Sequence, residues 1–392
     1  MRVVIVGGGF GGVKTALELA KDRKVSVTLV SDRDHFLFYP ALYSTATGHS
    51  RQPSVIPLSK FFHNHSNIKV VHDTVTGLDL PRKIVVGENG QYQYDRAVFA
   101  MGVVTTYFGI TGLDEYSYSI KSAEEVMRFK KHLHEYVAAD RHLDKNYVIV
   151  GAGPTGVELT ASLASYLAHI AKKHDVHRSK VSLDLVEAAP RVLPRMSEAA
   201  SRMVTKRLKE LGVKVMTNKK VEMQDDDSIM VSGRDIESRT VVWTSGVSNH
   251  PFFKEHGDIF RIAPNGKVEV DPQLQAAHHV YVIGDNANTQ YAGLAQTAVH
   301  NARFVARVIH AQIHGEQEPV FSAQTPAVVV PVGHNWAIFE YKGLRLSGLL
   351  GAWVRRAADF IAYMELFPPK VAWRLWWAEA HSEDACDICD LS

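Results

Sequence analysis

Two segments of the chain share the pattern of an apolar strand followed by closely spaced glycines. Residues 3–12 read VVIVGGGFGG, and residues 147–156 read YVIVGAGPTG. In such a turn one glycine permits the tight bend, one lets the backbone approach a pyrophosphate, and one lets the following helix pack on the strand. The pattern therefore predicts two dinucleotide-binding turns. Their G-x-G-x-x-G glycines are Gly7, Gly9 and Gly12 in the first turn and Gly151, Gly153 and Gly156 in the second.

Strands and helices alternate along the chain around both turns. Apolar, strand-like runs occupy residues 25–30, 68–71, 97–100, 181–186, 213–215 and 280–285. Helices are expected at 13–21, 122–139, 157–172, 198–211 and from about 296, and the second of these opens with a capping box formed by Ser122 and Glu125. This alternation predicts an α/β fold with two Rossmann-like, parallel-sheet domains. In each domain the helix after the glycines directs unpaired N–H groups and its positive dipole end at the phosphates. Two dinucleotides in one chain usually serve to pass a hydride from a nicotinamide to a flavin.

The bulk composition excludes several classes of protein. Lys and Arg total 44 against 42 for Asp and Glu, so nucleic acid is not an expected partner. No run of about 18 apolar residues occurs, so a membrane-spanning helix is not expected. The first strand begins at Arg2, so no signal peptide is expected and the protein should stay in the cytoplasm. The 20 histidines are scattered, and no metal site is predicted. The only cysteines, Cys386 and Cys389, lie in an acidic tail. Their C-x-x-C spacing could provide half a metal site or a redox pair, and the alternative is a frayed, solvent-exposed end of the chain.

An acidic residue about 20 positions after the glycines normally binds the ribose hydroxyls of the dinucleotide. In the second unit Glu187 occupies this position, directly after the strand. A carboxylate there accepts from the 2′-hydroxyl and repels a 2′-phosphate, which predicts NAD rather than NADP. In the first unit the strand ends at Ser31, with Asp32 next, so either residue could contact the ribose.

The chain resembles the type II NADH dehydrogenases, which are flavoproteins with the fold of the pyridine nucleotide-disulphide reductases. The resemblance runs from Arg2 to about Trp377. It implies that the first unit binds FAD, over residues 1–112 and 270–325, and that an inserted unit, 113–269, binds NADH. A C-terminal α+β region of 326–392 follows. The segments that carry the resemblance are VTLV at 27–30, LFYP at 37–40, TYFGI at 106–110, PTGVEL at 154–159, VWTSGV at 242–247 and IGD at 283–285.

The same resemblance implies individual site residues. Gly102, Asp285 and Ala295 would contact FAD, with Asp285 at its ribityl or pyrophosphate region, and Gly246 would belong to the NADH site. Glu158 follows the last glycine of the second turn, and the matching glutamate of similar enzymes lies by the nicotinamide and the flavin. The alternative is that Glu158 only complements the positive end of its helix.

The route for electrons leaving the flavin is constrained by what the two nucleotide units lack. Neither unit contains a cysteine, whereas disulphide reductases and sulphide:quinone reductases of this fold need cysteines beside the flavin. A diffusible acceptor is therefore expected. Residues 295–300, AQTAVH, resemble the quinone-site pattern A-Q-x-A-x-Q of the family. Gln296 matches, and His300 replaces the second glutamine four residues later, on the same helix face; ordinary helix polarity is the alternative for both.

The C-terminal region has the composition of a membrane-surface element. From Trp353 a stripe of apolar residues at helical spacing runs to Phe367, with Arg355, Arg356 and Asp359 on the other side, and a tryptophan-rich segment follows Pro368 and Pro369. Tryptophans and basic residues on short amphipathic helices suit the lipid headgroup layer. Core packing or a homodimer interface is the alternative. The stripe comprises Ala357, Phe360, Ile361, Met364 and Phe367, and the tryptophans are Trp373, Trp376 and Trp377.

Together these features predict a peripheral flavoenzyme on the cytoplasmic side of the cell membrane. The resemblance implies hydride transfer from NADH to flavin N5, followed by two-electron reduction of a membrane quinone, without proton pumping. Two alternatives stay open. One is a soluble NADH-dependent reductase of another small acceptor or electron carrier, and the other is an NADH-responsive, redox-sensing flavoprotein.

Overall fold

A computed structural model of the chain describes residues 1–140, 143–173, 175 and 181–379. The tail cysteines Cys386 and Cys389 lie outside these residues. The predicted strands and helices of both nucleotide units are present, with ends shifted by a few residues. The observed helices of the two units are Phe10–Leu19, Ala123–Asp140, Pro154–Lys173, Glu198–Glu210 and Ala295–His314.

The first unit is built on a six-stranded sheet. Its neighbouring strands are parallel, except that the edge strand Gln275–Ala277 is antiparallel to its neighbour Val280–Val282. The helices Phe10–Leu19 and Ala295–His314 cover one face, and a three-stranded antiparallel sheet helps to cover the other, as a parallel sheet with two apolar faces requires. The six strands lie in the order Gln275–Ala277, Val280–Val282, Arg96–Phe99, Arg2–Val6, Ser26–Ser31 and Ile68–His72, and the covering strands are Val75–Asp79, Ile84–Gly87 and Gln91–Gln93.

The second unit repeats the plan with a four-stranded parallel sheet. The helix Ala123–Asp140 begins with the predicted capping box, in which Ser122 Oγ accepts from the Glu125 N–H at 3.1 Å and Glu125 Oε2 accepts from the Ser122 N–H at 3.0 Å. A small antiparallel sheet, absent from the sequence prediction, packs on the face opposite the helices. The parallel strands lie in the order Val213–Met216, Ser182–Val186, Asn146–Val150 and Thr240–Trp243, and the small sheet contains Val221–Gln224, Ser228–Val231 and Arg234–Glu237.

Two antiparallel strands, Val103–Thr105 and Val247–Asn249, join the two units. After the second of them the chain returns to the first unit, because Phe252 and Phe260 pack with Phe99 of the six-stranded sheet. The expected division assigns these phenylalanines to the second unit instead. The smaller elements are the strands His35–Leu37 and Val55–Pro57, the helices Leu42–Ala46, Ser59–Phe62, Leu113–Tyr116 and Pro251–Glu255, and the 3-10 turns Tyr39–Ala41 and Gly284–Asn286.

The C-terminal region consists of three antiparallel strands and two helices, Leu349–Met364 and Pro369–Glu379, which we call the C-terminal helix pair. It contacts both nucleotide units. On the first unit, the Tyr363 ring stacks on Phe38 at 4.2 Å between ring centroids. On the second, Ser197 Oγ donates to Glu340 at 2.8 Å. The strands are Val328–Pro331, Ala337–Tyr341 and Leu344–Gly348.

Candidate active site

The first glycine turn has the backbone shape that a bound pyrophosphate needs. Gly7 adopts a φ of +110°, and a Cβ built on it would lie 2.3 Å from the Ala100 carbonyl oxygen. A Cβ on Gly12 would lie 1.8 Å from the Gly7 oxygen, so helix and strand approach too closely for any side chain. Gly9 differs, because a Cβ there would meet no atom within 4 Å. Its open side is where a ligand can approach the backbone.

The second turn has the same geometry. Gly151 has a φ of +105°, and a Cβ on Gly156 would lie 1.8 Å from the Gly151 oxygen. Gly153, like Gly9, faces open space within 4 Å. Neither helix after the turns carries an acidic residue in its first turn. The first N–H groups of both helices can therefore bind phosphate oxygens, and both turns fit a dinucleotide.

Glu187 is held in position at the end of its strand by two backbone hydrogen bonds. The Ala152 N–H donates to Oε2 at 2.6 Å, and the Ala189 N–H donates to Oε1 at 2.8 Å. The carboxylate consequently lies beside the second glycine turn, with lone pairs left for a ribose hydroxyl.

The matching position in the first unit is Ser31. The Gly7 N–H donates to the Val30 oxygen just as the Gly151 N–H donates to the Val186 oxygen, which aligns Ser31 with Glu187. Ser31 is buried, and its Oγ accepts from the Arg33 N–H at 3.2 Å. Asp32 is exposed. The geometry leaves both as candidate ribose contacts.

Asn286 connects two of the expected FAD contacts and was not foreseen from the sequence. Its Oδ1 accepts from the Gly102 N–H at 2.8 Å, and its Nδ2 donates to the Gly102 carbonyl. The adjacent Asp285 accepts from the Gly293 N–H at 3.0 Å, and burial raises the pKa of its carboxyl against the opposing charge of Lys267. The turn at Gly102 is thus fixed next to Asp285, beside the first glycine turn.

Glu158 does not simply complement its helix terminus. Its Oε1 lies 3.2 Å from Arg355 Nη1 of the C-terminal helix pair, and Arg355 Nη2 donates to the Pro40 carbonyl at 2.9 Å. Burial raises the pKa of Glu158 to about 7, although Arg355 opposes the shift. A carboxyl that titrates near neutrality in a protein interior is suited to exchanging a proton.

Arg355 is surrounded by further acidic and phenolic groups. Its Nε donates to Asp359 Oδ2 at 2.6 Å, and burial raises the pKa of Asp359 despite this contact. At the end of the described chain, burial and the nearby Asp359 raise the pKa of Glu379 to about 8. The Tyr363 hydroxyl donates to the Pro53 carbonyl at 3.1 Å and lies 3.4 Å from Glu379. One guanidinium therefore contacts two carboxyl groups, those of Glu158 and Asp359, with Glu379 nearby.

Gln296 and His300 lie on one face of their helix, as the spacing predicts, and both line the same small pocket. His300 Nε2 lies 2.9 Å from the Ser322 carbonyl, so it carries the proton of that hydrogen bond, and the ring packs against Phe321 at 5.4 Å between centroids. Ala295 forms the first residue of this helix. In the second unit, the Gly246 carbonyl accepts from Lys121 Nζ at 3.0 Å. The other pocket residues are Gln290, Thr297, Ala323, Gln324, Thr325 and Pro326.

The C-terminal helix pair has its charged and apolar sides reversed relative to an ordinary surface helix. Arg355 and Asp359 are buried, whereas Trp353 is 72% exposed and Ile361 is 60% exposed. The i, i+4 spacing of Arg355 and Asp359 could have indicated an ion pair. Nothing in the sequence shows that Glu158 joins them, or that the Arg355 guanidinium lies 6.0 Å from the centroid of the Tyr43 ring. Among the described residues, no helix is both long and apolar enough to cross a bilayer.

With this geometry established, comparison with known proteins decides the family. The family model described as pyridine nucleotide-disulphide oxidoreductase matches residues 1–302. The chain belongs to this family. The type II NADH:quinone oxidoreductase Ndh of Mycobacterium tuberculosis is 31% identical over 96% of this chain and 87% of its own length. A type II NADH:quinone oxidoreductase of Staphylococcus epidermidis is 26% identical over 93% of this chain and 96% of its own.

The three-dimensional comparison agrees with this membership. The structure of NDH2 from Plasmodium falciparum in complex with NADH superposes with a TM-score of 0.87 at 18% identity, over 97% of both chains. At this identity the match shows the fold alone. The expected family resemblance and the α/β fold class are both confirmed.

Proposed function

We propose that this member of the pyridine nucleotide-disulphide oxidoreductase family is an FAD-dependent NADH:quinone oxidoreductase. The observation that carries the proposal is a pair of complete dinucleotide turns in a chain that aligns over 96% of its length with a type II NADH:quinone oxidoreductase. The sequence contains no cysteine before Cys386, whereas cysteine-dependent members of the fold require thiols beside the flavin. This composition supports a diffusible acceptor.

The two cofactor sites are assigned to the two glycine turns. We assign FAD to the turn of Gly7, Gly9 and Gly12 and to residues 1–112 and 270–325, and NADH to the inserted unit with Glu187. The packing of Phe252 and Phe260 on the first sheet favours an earlier return to the FAD domain, directly after Val247–Asn249 rather than at residue 270. FAD, when bound, supplies hydride acceptance and two-electron transfer.

The chain's own residues then bind, orient and supply protons. Glu187 binds the ribose of NADH, and the N–H groups after each glycine turn bind the phosphates. Glu158 holds or releases a proton at Oε2, while its Oε1 accepts a hydrogen bond from Arg355. Gln296 donates a hydrogen bond to a quinone oxygen in the pocket that it lines with His300. Because His300 Nε2 donates to the Ser322 carbonyl, Nδ1 is the ring nitrogen that remains for the quinone.

Steady-state NADH oxidation by the purified, FAD-loaded protein tests the function. We expect rapid turnover with a soluble quinone and no dependence on added thiols. Stopped-flow absorbance would follow flavin reduction by NADH and its reoxidation by quinone as separate half-reactions. Reoxidation by quinone that is no faster than by dissolved oxygen would favour a redox sensor. Preference for a protein electron carrier over quinone would favour the soluble reductase.

Replacement of Glu187 by glutamine should weaken NADH use and reduce the preference over NADPH. The change removes the negative charge that repels a 2′-phosphate, and it puts an amide where the Ala152 and Ala189 N–H groups donate. We expect kcat/KM for NADH to fall by about tenfold, which corresponds to about 1.4 kcal/mol. Glu198→Gln, at an exposed helix position, is the matched control. Equal use of NADH and NADPH by the unaltered protein would contradict the assignment.

Replacement of His300 by glutamine should affect only the quinone half-reaction. Quinone reduction requires two protons, and histidine can deliver a proton near neutral pH whereas glutamine only hydrogen-bonds. We expect reoxidation of the flavin by quinone to slow in His300→Gln, because the variant lacks a side chain that can deliver a proton. Flavin reduction by NADH should not change. His63→Gln, at an exposed histidine, is the control; equal reoxidation rates for the His300 variant and the parent would leave His300 as a helix residue only.

We further propose that the C-terminal helix pair attaches the enzyme to the cytoplasmic surface of the membrane, where quinone resides. Its outer side exposes seven large apolar side chains, while its inner side is fixed by Arg355 and Tyr363. Amphipathic helices of this kind bind at the headgroup layer. A homodimer contact through the same side is the alternative. The exposed residues are Leu349, Leu350, Trp353, Ile361, Met364, Trp373 and Trp377.

Membrane attachment should be lost when the exposed side is made polar. We expect the triple variant Leu349→Gln, Leu350→Gln, Trp353→Gln to lower the partition coefficient onto liposomes at least about 100-fold, since burial of each side chain contributes about 1.5–3 kcal/mol. Bound flavin should remain. The control is Val320→Gln, which alters an apolar residue that is 69% exposed elsewhere. If the triple variant keeps its liposome binding but changes its sedimentation coefficient, the dimer interface is the correct interpretation.

A further inference from the structure

Folding brings together three potential metal ligands that the sequence keeps far apart. His310 and His314 lie one turn apart at the end of the helix Ala295–His314, and Asp22 lies in the turn after the helix Phe10–Leu19. Asp22 Oδ2 is 2.9 Å from His314 Nε2 and 3.8 Å from His310 Nε2. The three donor atoms all lie within 4.8 Å of one another. The scattered histidines predict no metal site, so this cluster is a product of the fold.

We propose that Asp22, His310 and His314 form a binding site for a divalent transition-metal ion of the Zn²⁺ or Ni²⁺ class. Two imidazole nitrogens and one carboxylate oxygen are the donors that such ions prefer, whereas Mg²⁺ and Ca²⁺ take oxygen ligands. Zinc binds imidazole nitrogen at about 2.0–2.1 Å, so tetrahedral donors around one ion lie about 3.4 Å apart. His310 Nε2, which is 3.8 Å from Asp22 Oδ2, must therefore move closer to bind. The His310 side chain can make this movement because it is 51% exposed.

The surroundings of the cluster favour a cation. The histidines occupy the last turns of a helix that ends at Gly315, and the negative end of the helix dipole attracts positive charge there. Asp22 is already oriented, since the Lys24 N–H donates to Oδ1 at 2.8 Å and leaves Oδ2 facing the histidines. The site is open to solvent, so water can complete the coordination.

A bound ion would connect the two helices that cover one face of the six-stranded sheet in the first unit. Both helices begin near the candidate active site, at Phe10 and Ala295, and the ligands lie at their opposite ends. The ion would consequently stabilise the packing of the two helices without contacting the cofactor sites. This inference does not depend on the proposed function.

Isothermal titration calorimetry with ZnCl₂ tests the site. The protein should be full-length, free of affinity tags, treated with chelator and carry Cys386→Ser and Cys389→Ser, because tail thiolates would bind zinc on their own. We expect one equivalent of Zn²⁺ to bind and Tm to rise by about 2–4 °C at saturation. His314→Gln and Asp22→Asn should each weaken binding at least about tenfold and remove the Tm shift.

His63→Gln, which changes an exposed histidine outside the cluster, should bind as tightly as its parent. Retained flavin absorbance would show that each variant is folded, and His310→Gln provides a third ligand test if one of the others fails to fold. Zinc binding that is equal in the parent and in the ligand variants would overturn the proposal. So would the lack of any binding, which would leave Asp22 and His314 as an ordinary ion pair.

Discussion

Replacement of Arg355 by methionine is expected to lower the free energy of unfolding by about 3–5 kcal/mol, because it leaves buried carboxylates without their partner. Arg355 contacts Asp359 at 2.6 Å and Glu158 at 3.2 Å, and both carboxyl groups are largely buried. Methionine retains much of the side-chain volume, so the loss measures the missing charge rather than a cavity. Denaturant unfolding of the FAD-loaded protein, followed by circular dichroism, measures the change.

A pH series separates the charge effect from general damage. The pKa of Glu158 is raised from about 4.5 to about 7, so its contribution to stability is fully present below about pH 4.5 and is lost as pH rises through about 7. Without Arg355 the carboxyl pKa values rise further, and the carboxylates are most costly in alkaline solution. The destabilisation should therefore be larger at about pH 8 than at about pH 6.

The matched control is Arg202→Met, which removes an arginine from an exposed i, i+4 pair with Glu198. Surface pairs of this kind contribute little, and we expect a change below about 1 kcal/mol. Equal losses in the two variants, or a loss for Arg355→Met that does not depend on pH, would show that the buried cluster does not hold the charges assigned to it. The double variant Arg355→Met, Asp359→Asn should recover part of the stability, because it removes one unpaired carboxylate.

The two glycine substitutions Gly153→Ala and Gly156→Ala are expected to separate cofactor binding from folding. A Cβ on Gly153 meets no protein atom within 4 Å, so Gly153→Ala should leave Tm of the NADH-free protein unchanged. Its methyl group occupies the side from which the pyrophosphate approaches, and we expect NADH affinity to fall about 10- to 100-fold, equivalent to about 1–3 kcal/mol. Gly156→Ala should lower Tm strongly, since its Cβ would lie 1.8 Å from the Gly151 oxygen.

Fluorescence titration with NADH and thermal unfolding measure the two effects in the same samples. Gly257→Ala is the control for a glycine replacement in ordinary surroundings, because its Cβ would lie 3.4 Å from the nearest atom, the Lys254 oxygen. Unchanged NADH affinity in Gly153→Ala would place the dinucleotide elsewhere. A Gly156→Ala protein as stable as the parent would show that the helix can move away from the strand at little cost.

The sequence alone was sufficient for the α/β fold class, the family and both glycine turns. These features depend on interactions between residues close in sequence. They are the conformations open to glycine, the apolar runs that form strands, and a capping box whose two residues are three positions apart. The Ser122–Glu125 cap forms as predicted. The position of Glu187 could also be predicted, because the end of a strand follows directly from the length of its apolar run.

Only the tertiary structure decided which distant residues meet. Arg355 belongs to a helix whose sequence suggests an exposed charged side, yet the fold buries that side on Glu158, 197 residues away. Asn286 fixes the turn at Gly102 across 184 residues, and Asp22 meets His314 across 292. Such pairings depend on how the sheets and helices pack, and not on spacing along the chain. A periodic pattern defines the two sides of a helix, but the partner that covers each side is set by the rest of the fold.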